Sequence, residues 1–100
     1  MANKIKVIVK RPDEAGHVTW MSNTLEAFQK AVGGYIEAVS LIPGVVIICD
    51  EEGRLKGSAP NCRIDGMDFV GNIVVAGVND EEFDSIPEAL TLKVFRELIG

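Results

Sequence analysis

Few side chains in this sequence belong to types that catalyse reactions or bind metals, and their spacing matches no catalytic or metal-binding motif. The single histidine, His17, has no second histidine or cysteine at metal-ligand spacing. Cys49 and Cys62 lie 13 positions apart, which fits no zinc motif. A nucleophilic Cys62 would have only His17 as its base. We therefore expect a protein without enzymatic activity, metal or cofactor.

The glycines and the acidic residues favour structural over catalytic interpretations. No dinucleotide fingerprint, phosphate loop or nucleophile elbow occurs. Gly33-Gly34 can end a helix or cradle a phosphate, and the helix end is favoured. The acids cluster in two turns, Asp50 to Glu52 and Asp80 to Asp84, a pattern more typical of solvated surface than of a hydrolase carboxylate pair.

The candidate ligand-binding residues are Trp20, Tyr35, Arg54, Lys56, Asn61 and Arg63. The last four lie within ten positions of one another on predicted turn and loop, where binding function is common. The planar guanidinium of arginine suits phosphate or carboxylate, and the two aromatic rings could stack on a base or a partner. The alternatives are that the aromatic residues pack in the core and that the basic residues only keep the surface soluble.

Length and charge restrict the class of protein. One hundred residues with 47% hydrophobic and 25% charged content predict a single globular domain over residues 1–100. The net charge of −5 argues against nucleic acid or an anionic membrane as a partner. Residues 1–11 hold four basic residues and no acid, which leaves −9 on the remainder. The basic start is either the solvated face of a strand or an anion-binding edge.

Targeting signals and membrane spans are not evident in the sequence. The apolar stretch Ile5 to Val9 is too short for a secretory signal, and no apolar run reaches the length of a membrane helix. Two cysteines are too few for a disulfide framework. A cytoplasmic location with free thiols is the expectation.

The hydrophobic pattern predicts an α+β domain with a mostly antiparallel twisted sheet of about five strands and two helices. A capping box at Asn23 opens the first helix, and Ser85 with Glu88 opens the second. Pro43-Gly44 predicts a tight turn, and the uniformly apolar strand after it should be covered on both faces. The strands are expected over 4–10, 17–21, 35–42, 45–49 and 72–78, with a short edge strand over 54–56, a long irregular loop over 57–71 and a bulge at Gly77.

The C-terminal helix is broadly apolar. Its apolar positions cover roughly 240° of the circumference, more than a core-facing helix needs. They form two stripes, Ile86, Leu90, Val94 and Leu98, and Leu92, Phe95 and Ile99. The helix is therefore either sunk deeply into its own sheet or packed on a second copy in a homodimer or higher homo-oligomer.

Several segments resemble one known family. They are 23–27, Val32-Gly33-Gly34-Tyr35-Ile36-Glu37, 50–57, 60–61, 71–72 and 75–79. The chain resembles the domain of unknown function 3846 over about residues 4–85, and the C-terminal helix is the part least expected to be shared. The resemblance implies a small protein of phages and bacterial mobile elements, without an established activity. The residues that match the family pattern are Gly33, Gly34, Tyr35, Glu37, Asn61 and Gly71.

Two functions are compatible with these features. The first is a non-enzymatic binder of a small ligand, such as an anti-defence sponge that sequesters a nucleotide immune signal of the host. Arginines would then contact phosphates, and Trp20 or Tyr35 would stack on the base. The alternative is an acidic interaction inhibitor or adaptor that acts on a host protein.

Overall fold

The computed structural model describes residues 3–99 and shows the predicted α+β class. The described residues form a mostly antiparallel sheet of six strands, a separate two-stranded hairpin and two helices. The helices are α1 (Leu25–Val32) and α2 (Glu88–Ile99). The strands are β1 (Lys4–Lys10), β2 (His17–Ser22), β3 (Ile36–Ile42), β4 (Val45–Asp50), β5 (Pro60–Ile64), β6 (Met67–Val70), β7 (Ile73–Asn79) and β8 (Glu82–Asp84).

Two hairpins and one inserted strand build the main sheet. Its order is β2-β1-β7-β4-β3, and β8 pairs with the end of β7. The β3–β4 turn is the predicted Pro43-Gly44, with Gly44 at φ 85°, a value that glycine adopts without strain. Because β7 lies between the β1–β2 and β3–β4 hairpins, β2 and β3 are the two outer strands of this order.

Both faces of the sheet are covered, as the uniformly apolar β4 predicted. On one face, Phe28 and Val32 of α1 pack on β1, β4 and β7. On the other face, Val94 of α2 and Phe69 of the β5–β6 hairpin pack on the opposite side of the same strands. Residues Val45 to Cys49 are therefore all buried. Neither helix in the described part is long and apolar enough to cross a membrane.

The expected loop over 57–71 and the expected edge strand over 54–56 are both wrong. Residues 51–57 form turns, and residues 60–70 form the β5–β6 hairpin. Its turn is Asp65-Gly66, with φ values of 51° and 80°, as a two-residue hairpin turn requires. The two strands are short, and only Ile64 and Phe69 are fully buried, so their hydrophobic alternation is weak.

The predicted caps and the predicted bulge are also corrected. Thr24, not Asn23, caps α1, since its Oγ1 accepts a hydrogen bond from the Ala27 N–H at 3.2 Å. Ser85 instead accepts from the Lys6 N–H at 2.8 Å, which ties the chain before α2 to β1. Gly77 pairs in regular register with both β4 and β8. A Cβ there would overlap the Ser85 carbonyl, so close backbone approach, not a bulge, explains the glycine.

One apolar stripe of α2 packs on the sheet. Val94 and Ile86, which precedes the helix, are buried, and Leu90 packs partly against the same core. Phe95 of the second stripe also packs partly against this core. Leu92 is 62% exposed. The side chains of Leu98 and Ile99, which completed the predicted stripes, lie outside the described part of the structure.

Candidate functional site

A concave surface on the α2 side of the sheet lies between β3–β4 and the β5–β6 hairpin. We call it the hairpin cleft; its cavity has a volume of about 340 Å³. A second, larger cavity of about 520 Å³ lies beside it and continues toward Asn61 and Cys62. The residues that line both cavities are Arg54, Asp68, Phe69 and Val70. The residues lining the hairpin cleft are Glu37, Val39, Cys49, Asp50, Glu51, Arg54, Leu55, Met67, Asp68, Phe69 and Val70.

The rim of the hairpin cleft is acidic, and its floor is apolar. Glu37, Glu51 and Asp68 are exposed at the rim. Arg54 is the basic residue among those that line the cleft, and its Nη2 donates a hydrogen bond to the Asp68 carbonyl at 2.7 Å. Phe69 forms part of the buried floor. The cleft therefore combines negative charge with an apolar surface.

Lys56 lies close to the cleft but is bound by the protein itself. Its Nζ donates to Asp50 Oδ2 at 2.9 Å and to the Gly33 carbonyl at 3.1 Å. A Cβ on Gly34 would lie within 3 Å of both members of this pair, so glycine leaves room for their contact. The Gly33-Gly34 segment thus ends α1, with Gly33 at φ 86°, and also accommodates the ion pair.

The ion pair shifts the pKa of both partners. Burial of Asp50 raises its pKa, but the hydrogen bonds from Lys56 and from the Glu52 N–H, with the ammonium charge, lower it overall. The hydrogen bond to Asp50 raises the pKa of Lys56 and outweighs the opposing loss of hydration. The Asp50 side chain is only 5% exposed, whereas that of Lys56 is 46% exposed. The buried carboxylate therefore depends on the ion pair more than the ammonium does, and its lowered pKa stabilises the folded state.

Replacing Lys56 by methionine should lower the free energy of unfolding at neutral pH, and the loss should shrink in acid. The folded-state pKa of Asp50 lies below its ordinary value of 3.8. Its contribution is therefore present above that value and is lost as the pH falls through the folded-state pKa. Urea unfolding midpoints at neutral pH and below pH 3.8 measure the effect. The matched control is Arg63→Met, because the Arg63–Asp68 pair is exposed at 3.6 Å. Equal losses for both variants at both pH values would contradict this account.

Neither thiol is activated as a nucleophile. Burial, followed by the negative charges of Glu37 and Asp50, raises the pKa of Cys49 to about 11, against a smaller lowering by Arg54. Burial raises the pKa of Cys62 as well, against the lowering effect of the Lys10 ammonium. A raised pKa suppresses the reactive thiolate. Both side chains act as small core residues.

Asn61, a candidate ligand-binding residue, is engaged inside the protein. Its Oδ1 accepts from Lys10 Nζ at 2.9 Å. Its Nδ2 donates to the carbonyls of Lys10 and Gly71 at 3.0 and 2.7 Å. The amide therefore joins β5 to the end of β1 and the start of β7, and Lys10 is only 7% exposed beneath it.

The six sequence-predicted residues do not form one site. Trp20 lies on β2 at one edge of the sheet, whereas Tyr35 immediately precedes β3 at the other. Four strand spacings of ~4.8 Å separate these edges by roughly 19 Å, so one base cannot stack on both rings. Arg54 alone lines the hairpin cleft, and Tyr35 lies near it, because its carbonyl accepts from the Glu51 N–H at 2.8 Å.

Several residues of the hairpin cleft were not predicted from the sequence. Asp68 and Phe69 belong to β6, which the sequence pattern placed in a loop. For Glu37 the sequence did offer an indication, since this residue ends the Val-Gly-Gly-Tyr-Ile-Glu segment that resembles the family. No cluster of three or more potential metal ligands occurs among the residues that the structure describes.

Comparison with known proteins places the chain in one family. The sequence model of the Domain of unknown function (DUF3846) matches residues 5–99. The match includes α2, so the expectation that the similarity would end near residue 85 is wrong. No curated protein and no solved structure matches the chain. The resemblance to this family is confirmed, and the chain belongs to the DUF3846 family.

Proposed function

We propose that this protein is a non-enzymatic binding protein whose hairpin cleft takes a lysine or arginine side chain from a host protein. The observation that carries the proposal is an acidic rim over an apolar floor. Interaction of an acidic surface with a host protein is one of the two functions compatible with the sequence, and we assign that interaction to the residues of the hairpin cleft. The family resemblance supports a phage or mobile-element origin, and hence a bacterial host protein as the partner.

The chemistry of the cleft matches a long basic side chain. Such a side chain buries an apolar stem and keeps its charged head near water. The stem would pack on Val39 and Phe69, and the head would lie among Glu37, Glu51 and Asp68. The remaining negative charge of the protein would speed association with a basic partner at low salt.

Removing rim charges should weaken binding of a basic peptide. The probe is a fluorescently labelled peptide of alternating lysine and leucine, titrated with the full chain while anisotropy is recorded. The double variant Glu51→Gln/Asp68→Asn should bind about tenfold more weakly, as expected for two lost charge contacts. The control Glu26→Gln/Glu81→Gln removes the same charge from residues outside the cleft and should bind nearly as the parent does.

Two results would contradict the proposal. Equal weakening in the two double variants would show that only net charge attracts the peptide. Absence of binding to the parent protein at low salt would exclude a basic side chain as the preferred occupant.

A nucleotide is the second candidate occupant, because exposed Arg54 lines both the hairpin cleft and the neighbouring cavity. Its guanidinium could contact a phosphate, and Tyr35 lies at the same end of the sheet. A thermal-shift panel of linear and cyclic nucleotides tests this. A shift that is lost in Arg54→Ala and in Arg63→Ala would favour the sponge over the basic partner. Either function is compatible with the cytoplasm, where both thiols stay reduced.

A further inference from the structure

The two outer strands of the main sheet differ in how they are protected from pairing. Outer strands usually carry charges, prolines or bulges that prevent pairing with another chain. β3 has Glu37 and a register shift between Ser40 and Ile42. β2 reads His-Val-Thr-Trp-Met-Ser, has no Asp, Glu, Lys, Arg or Pro, and pairs with β1 without any register shift. The β2 edge is therefore open to a further strand.

The backbone groups of β2 are oriented for such pairing. Lys6, the neighbour of Trp20 on β1, uses its N–H and C=O on Ser85 and Ile86, on the side away from β2. Opposed residues of an antiparallel pair exchange both hydrogen bonds or neither. The N–H and C=O of Trp20 therefore point outward from the sheet, and by alternation so do those of Val18.

The side chains at this edge are apolar and exposed. Val18 and Trp20 are 40% and 60% exposed. They lie on the α2 side of the sheet, because Lys6 contacts Glu88 of α2 with its Nζ at 3.1 Å. Leu92 follows Glu88 by one helical turn and lies on the same side of α2. Exposed apolar side chains therefore occur on the edge strand and on α2, on the same face of the sheet as the Lys6–Glu88 ion pair.

We propose that the β2 edge pairs with β2 of a second copy of this chain to form a twofold-symmetric dimer. In antiparallel register, Val18 of one copy lies opposite Trp20 of the other, and the two Thr19 residues face each other. The two six-stranded sheets then become one continuous sheet of twelve strands. The hairpin clefts lie at its far ends, so dimerisation leaves both open.

Charge favours a second copy as the occupant. The chain carries −5 overall, so most of its surfaces repel one another, whereas β2 brings no like charges together. A twofold axis also places the exposed Asp13-Glu14 turn of one copy at the end of the sheet where Lys4 of the other lies. These groups are about two strand spacings apart, roughly 10 Å, so they attract one another at low ionic strength and are largely screened above about 0.1 M salt.

Sedimentation equilibrium of the full chain tests the dimer, with expected mass twice that of one chain. Trp20 is the only tryptophan, so its emission should shift to the blue as concentration rises. Val18→Lys should raise the dimer dissociation constant about tenfold or more. Val18→Pro should do the same through the backbone, since proline is tolerated where the N–H faces outward. Ser40→Lys on the exposed β3 edge is the control and should leave the constant unchanged.

Circular dichroism and melting confirm that each variant is folded. A parent protein that is monomeric up to millimolar concentration would overturn the proposal. So would a dimer that tolerates both Val18 variants but dissociates in Leu92→Glu, because the contact would then belong to α2 alone. Loss of the dimer in Ser40→Lys would assign it to the opposite edge.

Discussion

Replacing Phe28 by alanine should lower the free energy of unfolding by about 3–5 kcal/mol. Phe28 is 1% exposed and is the largest side chain that α1 buries against the sheet. Its ring meets that of Phe83 on β8 edge-to-face, with centroids 5.1 Å apart. The substitution removes both the buried area and this aromatic contact, and it leaves a cavity that the surrounding strands cannot fill.

The measurement is urea unfolding followed by circular dichroism, with Leu25→Ala as the matched control. Leu25 lies on the same helix but is 58% exposed, so its truncation should cost less than about 0.5 kcal/mol. A loss below about 1 kcal/mol for Phe28→Ala would mean that α1 contributes little to the core, contrary to the packing seen here.

Replacing Asn61 by leucine should cost about 2–3 kcal/mol, although the two side chains have the same branching and the same number of heavy atoms. The Lys10 ammonium would lose its 2.9 Å acceptor, and the carbonyls of Lys10 and Gly71 would lose their donor. Buried polar groups without partners carry a desolvation cost that leucine cannot offset.

A double-mutant cycle separates this cost from general packing effects. Lys10→Met combined with Asn61→Leu should recover part of the loss, because the buried charge is gone along with its partner. Asn79→Leu, at an exposed position, should change stability by less than about 0.5 kcal/mol. If Asn61→Leu unfolded like the parent but failed to bind a ligand, Asn61 would be a binding residue, as the sequence first suggested.

The elements with strong local patterns were predictable. β4 is apolar from Val45 to Cys49, so its coverage on both faces followed from the pattern alone. In β1 the apolar face was predicted correctly, but the face that carries the lysines is not a solvated one, because Ile8 and Lys10 on it are buried. The glycine pair after α1 ended the helix where expected, because the left-handed cap is a local property of the backbone. The α+β class rests on these elements.

The β5–β6 hairpin and β8 were not predictable in the same way. β5 and β6 bury only Ile64 and Phe69 on the core, and β8 has three residues. Their partners are near in the chain, because two-residue turns, Asp65-Gly66 and Asp80-Glu81, close the β5–β6 and β7–β8 hairpins. Asp65-Gly66 is a hairpin signal in the sequence, but the strands beside it are too short and alternate too weakly to be recognised without the core on which they pack. The hairpin cleft could not be predicted from the sequence for the same reason, since β6 forms one of its walls.

The candidate residues show the same division. Their chemistry is evident from the sequence, but whether each side chain is free to bind a ligand depends on its neighbours in the fold. Lys56 and Asn61 bind groups within the protein, whereas Arg54 lines the cleft. Trp20 and Tyr35 were grouped by type, and the strand order places them at opposite edges of the sheet.

The sequence by itself therefore determined the family, the fold class and the lack of a recognisable catalytic motif, because composition, periodicity and local motifs carry that information. Only the tertiary structure decided which polar groups stay exposed and which bond to one another within the protein. The physical reason is that a hydrogen bond or an ion pair joins residues distant in the chain, such as Lys10 and Asn61. The groups that these internal contacts leave exposed are the candidates for binding a partner.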